Sequence, residues 1–234
     1  MKWLEETLHV DEDEPLVDIA ARLAEKKLLV AATAAGHALT IETIAKLALT
    51  GYMWRADLSF TADELPVYSS RMGKAAVFTS YLRSGQKYCL VKSRKLGVLT
   101  PRLAYSLSRD SLSLFRVSRI ASRMVPAIVA PNATLKGALR RMRRRKSICA
   151  FVMRSGRLKG ILDLWTLLDT LAERGEKMME ASCSDYASDA QTVRNYEELE
   201  HVLGEYGFGA LVKPGSTPLL VDDVTLLEAL RREV

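Results

Sequence analysis

Four short apolar runs recur along the chain at residues 28–31, 88–91, 148–152 and 208–212. Each follows a helix-like stretch and is followed by turn residues: Ala34-Ala35-Gly36, Lys92-Ser93-Arg94-Lys95, Arg154-Ser155-Gly156 and Lys213-Pro214-Gly215-Ser216. A second apolar run follows every turn, at 37–39, 96–99, 158–162 and 218–221. Runs this short are too brief for buried helices, and two of them across a short turn predict a β-hairpin.

Each hairpin leads into an amphipathic helix whose first residue is a good cap. The caps are Thr40, Thr100, Asp163 and Asp222, spaced 60, 63 and 59 residues apart. Their side-chain oxygens can accept from the orphan amides of a helical first turn, and Pro101 sits where proline suits a helix start. Upstream of the hairpins lies another helix, marked by Leu16, Ile19, Ala20 and Leu23 in the first repeat. Leu135, Leu139 and Met142 mark it in the third, and Leu199, Val202 and Leu203 in the fourth. Residues 75–82 form it in the second. Extended segments precede these helices at Leu8-His9-Val10, Val67-Tyr68 and Ile128-Val129-Ala130. The expectation is an α/β (α+β) fold of four β-α-β-β-α units.

The third repeat, from Val125-Pro126 through Thr134-Leu135 and Ala138-Leu139 to Gly160-Ile161-Leu162, resembles the cystathionine-β-synthase (CBS) domain. The resemblance extends by pattern to the other three repeats. It places CBS-like units at 1–57, 58–109, 124–177 and 178–234, with 110–123 as a linker. It implies two tandem pairs of successive units whose clefts bind adenosine-containing ligands. The family's binding signature is Gly-x-x-Thr/Ser-x-x-Asp, in which the hydroxyl meets phosphate or ribose and the carboxylate meets the ribose hydroxyls. Here Gly97 and Thr100 are followed by Leu103 in place of Asp, and Thr40 by Thr43. Asp163 with Thr166, and Asp222 with Thr225, exchange the two residue types. None of the four carries the complete signature.

Charge changes this picture. The net charge is +6, yet residues 1–60 hold 6 basic and 10 acidic residues, and 181–234 hold 4 and 10. The middle is basic, with 11 against 3 at 61–120 and 13 against 5 at 121–180. The helix start at Thr100, with Arg102 and the hairpin residues Lys92, Arg94 and Lys95, is the best anion site on these grounds. Asp163 and Asp222 set a carboxylate where a phosphate would lie, so those starts suit uncharged adenosine, a cation, or capping alone. The run Arg140, Arg141, Arg143, Arg144, Arg145 and Lys146 covers all of a helix but its Leu139–Met142 stripe. It reads as a nucleic-acid footprint, as a surface for an acidic partner or for the acidic first and fourth units of this chain or a second copy, or as a solvated face. Aromatic residues do not interleave with it, which argues against stacking on single strands.

Other chemistry is sparse. Cys89, Cys149 and Cys183 lack metal-ligand spacing and cannot all pair, which points to a reducing cytoplasm. The acidic residues 1–14 predict no secretory leader, and His37, Glu42 and Lys46 break the most apolar stretch, so no membrane span is expected. His9, His37 and His201 are scattered among different repeats, and no nucleophile is arranged near them. The sequence therefore reads as a non-enzymatic sensor with no metal or fixed cofactor. Its ligand would be AMP, ADP, ATP or S-adenosylmethionine, held by Thr40, Lys92, Arg94, Thr100, Arg102, Asp163, Thr166, Asp222 and Thr225. A protein partner or homodimer is compatible. The alternatives are a nucleic-acid-binding protein using the basic middle, or a scaffold without a small ligand.

Overall fold

A computed structural model describes residues 3–189 and 191–232. The chain begins with β1 (Glu5–Glu6), followed by the first repeat: β2 (Leu8–His9), α1 (Leu16–Glu25), β3 (Val30–Ala32), β4 (Ala38–Thr40) and α2 (Ile41–Ala48). The second holds β5 (Val67–Ser69), α3 (Lys74–Arg83), β6 (Cys89–Lys92), β7 (Leu96–Leu99) and α4 (Pro101–Ser108). After α5 (Leu114–Ala121) comes the third: β8 (Ile128–Val129), α6 (Leu135–Arg145), β9 (Cys149–Arg154), β10 (Arg157–Asp163) and α7 (Leu164–Arg174). The fourth holds β11 (Thr192–Val193), α8 (Tyr196–Tyr206), β12 (Gly209–Leu211), β13 (Leu219–Val221) and α9 (Asp223–Arg231). The repeated order and all four caps expected from sequence are present. Thr40, Thr100, Asp163 and Asp222 each accept from an amide of the helix they start.

In every repeat the middle strand pairs in parallel with the first strand and antiparallel with the third. Arms from neighbouring repeats extend these sheets. β1, which leads into the first repeat, pairs with β7 of the second, with Glu5 opposite Val98 and Glu6 opposite Gly97. Asp63, ahead of the second repeat, bridges to Ala38 of the first, and Ser188, ahead of the fourth, bridges to Ile161 of the third. The first and second repeats thus exchange arms, and the segment ahead of the fourth reaches the third. Two glycines make room for the crossings. A Cβ on Gly97 would lie 2.9 Å from the Leu4 side chain, and one on Gly160 would lie 3.0 Å from Ala187 Cβ.

Among the described residues two compact bodies result, one of residues 7–64 and 127–189, the other of 3–6, 65–126 and 191–232. The first body contains repeats 1 and 3, joined where α1 packs on α7 and α2 on α6. Leu16, Ile19 and Leu23 of α1 and Leu164, Leu167, Leu168 and Leu171 of α7 are all buried. Trp165 Nε1 donates to the Leu28 carbonyl at 2.8 Å, and Trp54 Nε1 to that of Leu171 at 3.3 Å. The second body contains repeats 2 and 4, where α4 packs on α8 and α9, and α3 on α9. Tyr81, Tyr105, Leu203 and Leu226 lie in its core. The segment expected as a linker, 110–123, belongs to this body. It forms α5, which packs on α9 and β13 and buries Val117, Ile120 and Ala121.

Candidate functional site: the helix starts of the repeats

The β-to-helix junctions hold most of the predicted ligand residues, and at each one a carboxylate of the chain meets the helix start. In repeat 1 the Thr43 amide donates to Thr40 Oγ1 at 3.3 Å. Asp63 then accepts from the Thr40 amide at 2.7 Å and from Thr43 Oγ1 at 2.8 Å. In repeat 2 the Leu103 amide donates to Thr100 Oγ1 at 3.2 Å, while the Thr100 hydroxyl donates to Glu5 Oε1 at 2.5 Å. Arg102 grips the same carboxylate, with Nε and Nη2 each 2.9 Å from a different oxygen. Its Nη1 donates to the Glu205 carbonyl at 3.2 Å.

In repeats 3 and 4 the cap is itself the carboxylate. Asp163 accepts from the Thr166 amide at 2.8 Å and the Thr166 hydroxyl at 3.1 Å. Asp222 accepts from the Thr225 amide at 2.8 Å and the Thr225 hydroxyl at 2.5 Å. Burial raises the pKa of the Asp163 carboxyl, opposed by the bonds from Thr166 and the charge of Lys27. The exchange of Asp and Thr relative to the family signature is therefore a closed local pair: the cap holds the hydroxyl three residues on.

These contacts revise the electrostatics expected of repeat 2. A helix start attracts anions through its free amides and dipole. Thr100 and Arg102 do converge there, but on the carboxylate of Glu5. The register places Lys92 opposite Leu96, at the turn end of the hairpin, whereas Cys89 lies opposite Leu99 beside Thr100. At about 3.3 Å per residue, Lys92 and Arg94 stand more than ten ångströms along the strands from that start. Access differs among the four starts: Asp222 and Thr225 are buried, whereas Thr43, Asp63 and Thr166 are half-buried. Glu5 and Asp63 were absent from the sequence reading. They lie 95 and 23 residues from the caps they serve, and only the strand crossings bring them there.

Elsewhere, Arg140, Arg141, Arg143 and Arg144 are exposed on α6 and Arg145 is half-buried, Lys146 is exposed at its C-cap, and Leu135, Ala138, Leu139 and Met142 face the core. The three thiols are buried, with burial pushing Cys89 up to about 12 and Cys183 up to about 11. Cys89 and Cys183 are therefore protonated and poor nucleophiles near neutral pH. Among the described residues there is no His, Cys, Asp and Glu grouping suited to a metal ion, and no helix long and apolar enough to cross a membrane.

A chain of repeated β-α-β-β-α units with capped second helices is a tandem small-module protein. Residues 117–173 match the family model described as CBS domain. No curated protein matches the sequence. Among solved structures, a protein of Methanocaldococcus jannaschii described as a proposed archaeal homologue of g-AMPK aligns at 12% identity and TM-score 0.74. The alignment covers 97% of this chain and 98% of that one. An uncharacterised conserved protein from Pyrococcus horikoshii aligns at 16% identity and TM-score 0.50, covering 86% and 89%. At these identities the likeness is one of fold.

Proposed function

We propose that this protein is a non-catalytic regulatory module that senses a small adenosine-type ligand at the helix starts of its CBS repeats. The observation that shapes the reading is the chain carboxylate at each of the four starts. A carboxylate repels phosphate and accepts bonds from ribose hydroxyls or an adenine amino group. It also attracts a sulfonium or ammonium. Adenosine and S-adenosylmethionine therefore suit these starts better than AMP, ADP or ATP. The start in repeat 1 is the best candidate, since Asp63 and Thr43 reach the surface. Signalling would follow from unequal affinity for two states of the protein.

Thermal unfolding against millimolar adenosine, S-adenosylmethionine, AMP, ADP and ATP tests this. A ligand at a hundredfold excess over its Kd adds about 2.7 kcal/mol, a rise of several degrees in a chain this long. We expect that rise with adenosine or S-adenosylmethionine, and its loss in Asp63→Ala. No shift with any of the five overturns the reading. The exposed arginines of α6 favour a second reading, binding of a nucleic-acid backbone. It requires affinity for a short duplex that falls steeply with salt, as counterion release dictates.

A further inference from the structure

The described residues enclose a second basic feature, separate from the helix starts and from α6. α5 and the end of α9 border a cavity of about 490 Å³ lined by Arg116, Arg119, Ile120, Arg123 and Arg232. All five belong to one compact body. Arg116, Arg119 and Arg123 stand at i, i+3 and i+7, which places them on one face of the helix and its exit. Val117, Ile120 and Ala121 turn inward and fix that face against the core. Arg232 follows directly on α9, which packs on α5.

Four guanidinium groups around one hollow repel each other. Residues 111–126 contain these three arginines and no acidic residue. Among the described residues no carboxylate pairs with Arg119, Arg123 or Arg232. Such an arrangement becomes favourable when a polyanion enters. All four cations are arginine, whose planar fork binds phosphate oxygens two at a time. The volume lies within the roughly 300–1,000 Å³ of small-ligand sites and exceeds what one phosphate fills. We propose that this cavity binds an oligophosphate group, carried either by an inorganic polyphosphate or by a nucleoside triphosphate.

The test is titration of the full chain with inorganic triphosphate, followed by calorimetry, and repeated with ATP and with a short duplex DNA. We expect saturable triphosphate binding, weakened at least tenfold in Arg119→Ala/Arg123→Ala and in Arg232→Ala. Binding should be unchanged in Arg144→Ala on α6. Arg119→Lys/Arg123→Lys keeps the charge and loses the forks, so it should fall between. Equal affinity for ATP and triphosphate assigns recognition to the phosphates alone, and tighter ATP binding adds the nucleoside; both agree with the proposal. Absence of triphosphate binding, binding indifferent to the α5 and Arg232 variants, equal loss in Arg144→Ala, or binding of duplex alone overturns it. Asp63→Ala leaves triphosphate binding intact, so failure here and failure at the helix starts are distinguishable.

Discussion

At Asp163 the chain has placed an ionisable cap below the surface, and its raised pKa has a consequence for stability. A carboxyl whose folded pKa lies above the unfolded value of about 3.9 contributes stability below that value. The contribution is lost as the pH rises through the folded pKa. Near pH 7 the buried carboxylate therefore costs stability. Asn caps a helix as well as Asp does and carries no charge. Asp163→Asn should be at least as stable as the parent at pH 7, with the difference closing as the pH falls below about 4. Asp163→Ala, which loses the cap, should cost about 1 kcal/mol. Urea unfolding at both pH values measures this. A loss in Asp163→Asn as large as that in Asp163→Ala would show that the charge itself is needed.

Among the elements, the crossing arms set the chemistry of the helix starts. β1 brings Glu5 to Thr100 and Arg102 only because Gly97 lets the backbone pass, with Glu5 O at 3.3 Å from where a Cβ would stand. Gly97→Ala pushes on Leu4 and on that carbonyl together, and overpacking of this kind costs about 1–3 kcal/mol. The arm should be displaced and the bidentate grip on Glu5 weakened. Hydrogen exchange in β7 is the readout, since β1 covers its edge. Unchanged protection at Val98 would mean that the arm adapts without moving. The glycine of the family signature thus has a steric role in this protein, whatever ligand the start receives.

At the scale of the whole molecule, repeats distant in sequence share cores. Leu168 on α7 is fully buried, and α7 packs on α1. Leu168→Ala should destabilise by about 2–5 kcal/mol, and exchange protection should fall in α1 as well as α7. Loss confined to repeat 3 would show that the two repeats hold together independently of this contact. Trp54 and Trp165 tie the same body through backbone carbonyls on α7 and ahead of β3. These two bonds join residues 117 and 137 positions apart in the chain.

Local physics made the four repeats legible. Apolar spacing predicted the helices, turn residues the hairpins, and the preference of Thr and Asp for orphan amides the starts at Thr40, Thr100, Asp163 and Asp222. Arg102 was likewise recognisable as a partner of Thr100. Each of these depends on residues a few positions apart, which a linear pattern displays. The helix at Leu114–Ala121 was missed because its arginine-rich sequence carries only a short apolar stripe, Val117, Ile120 and Ala121. The carboxylate that meets Thr100, the one that meets Thr40, the joining of alternate repeats through helices and the arginine-lined cavity all required the tertiary structure. They arise where strand crossings and helix packing bring distant residues together, and no periodicity in the chain encodes which distant residue arrives.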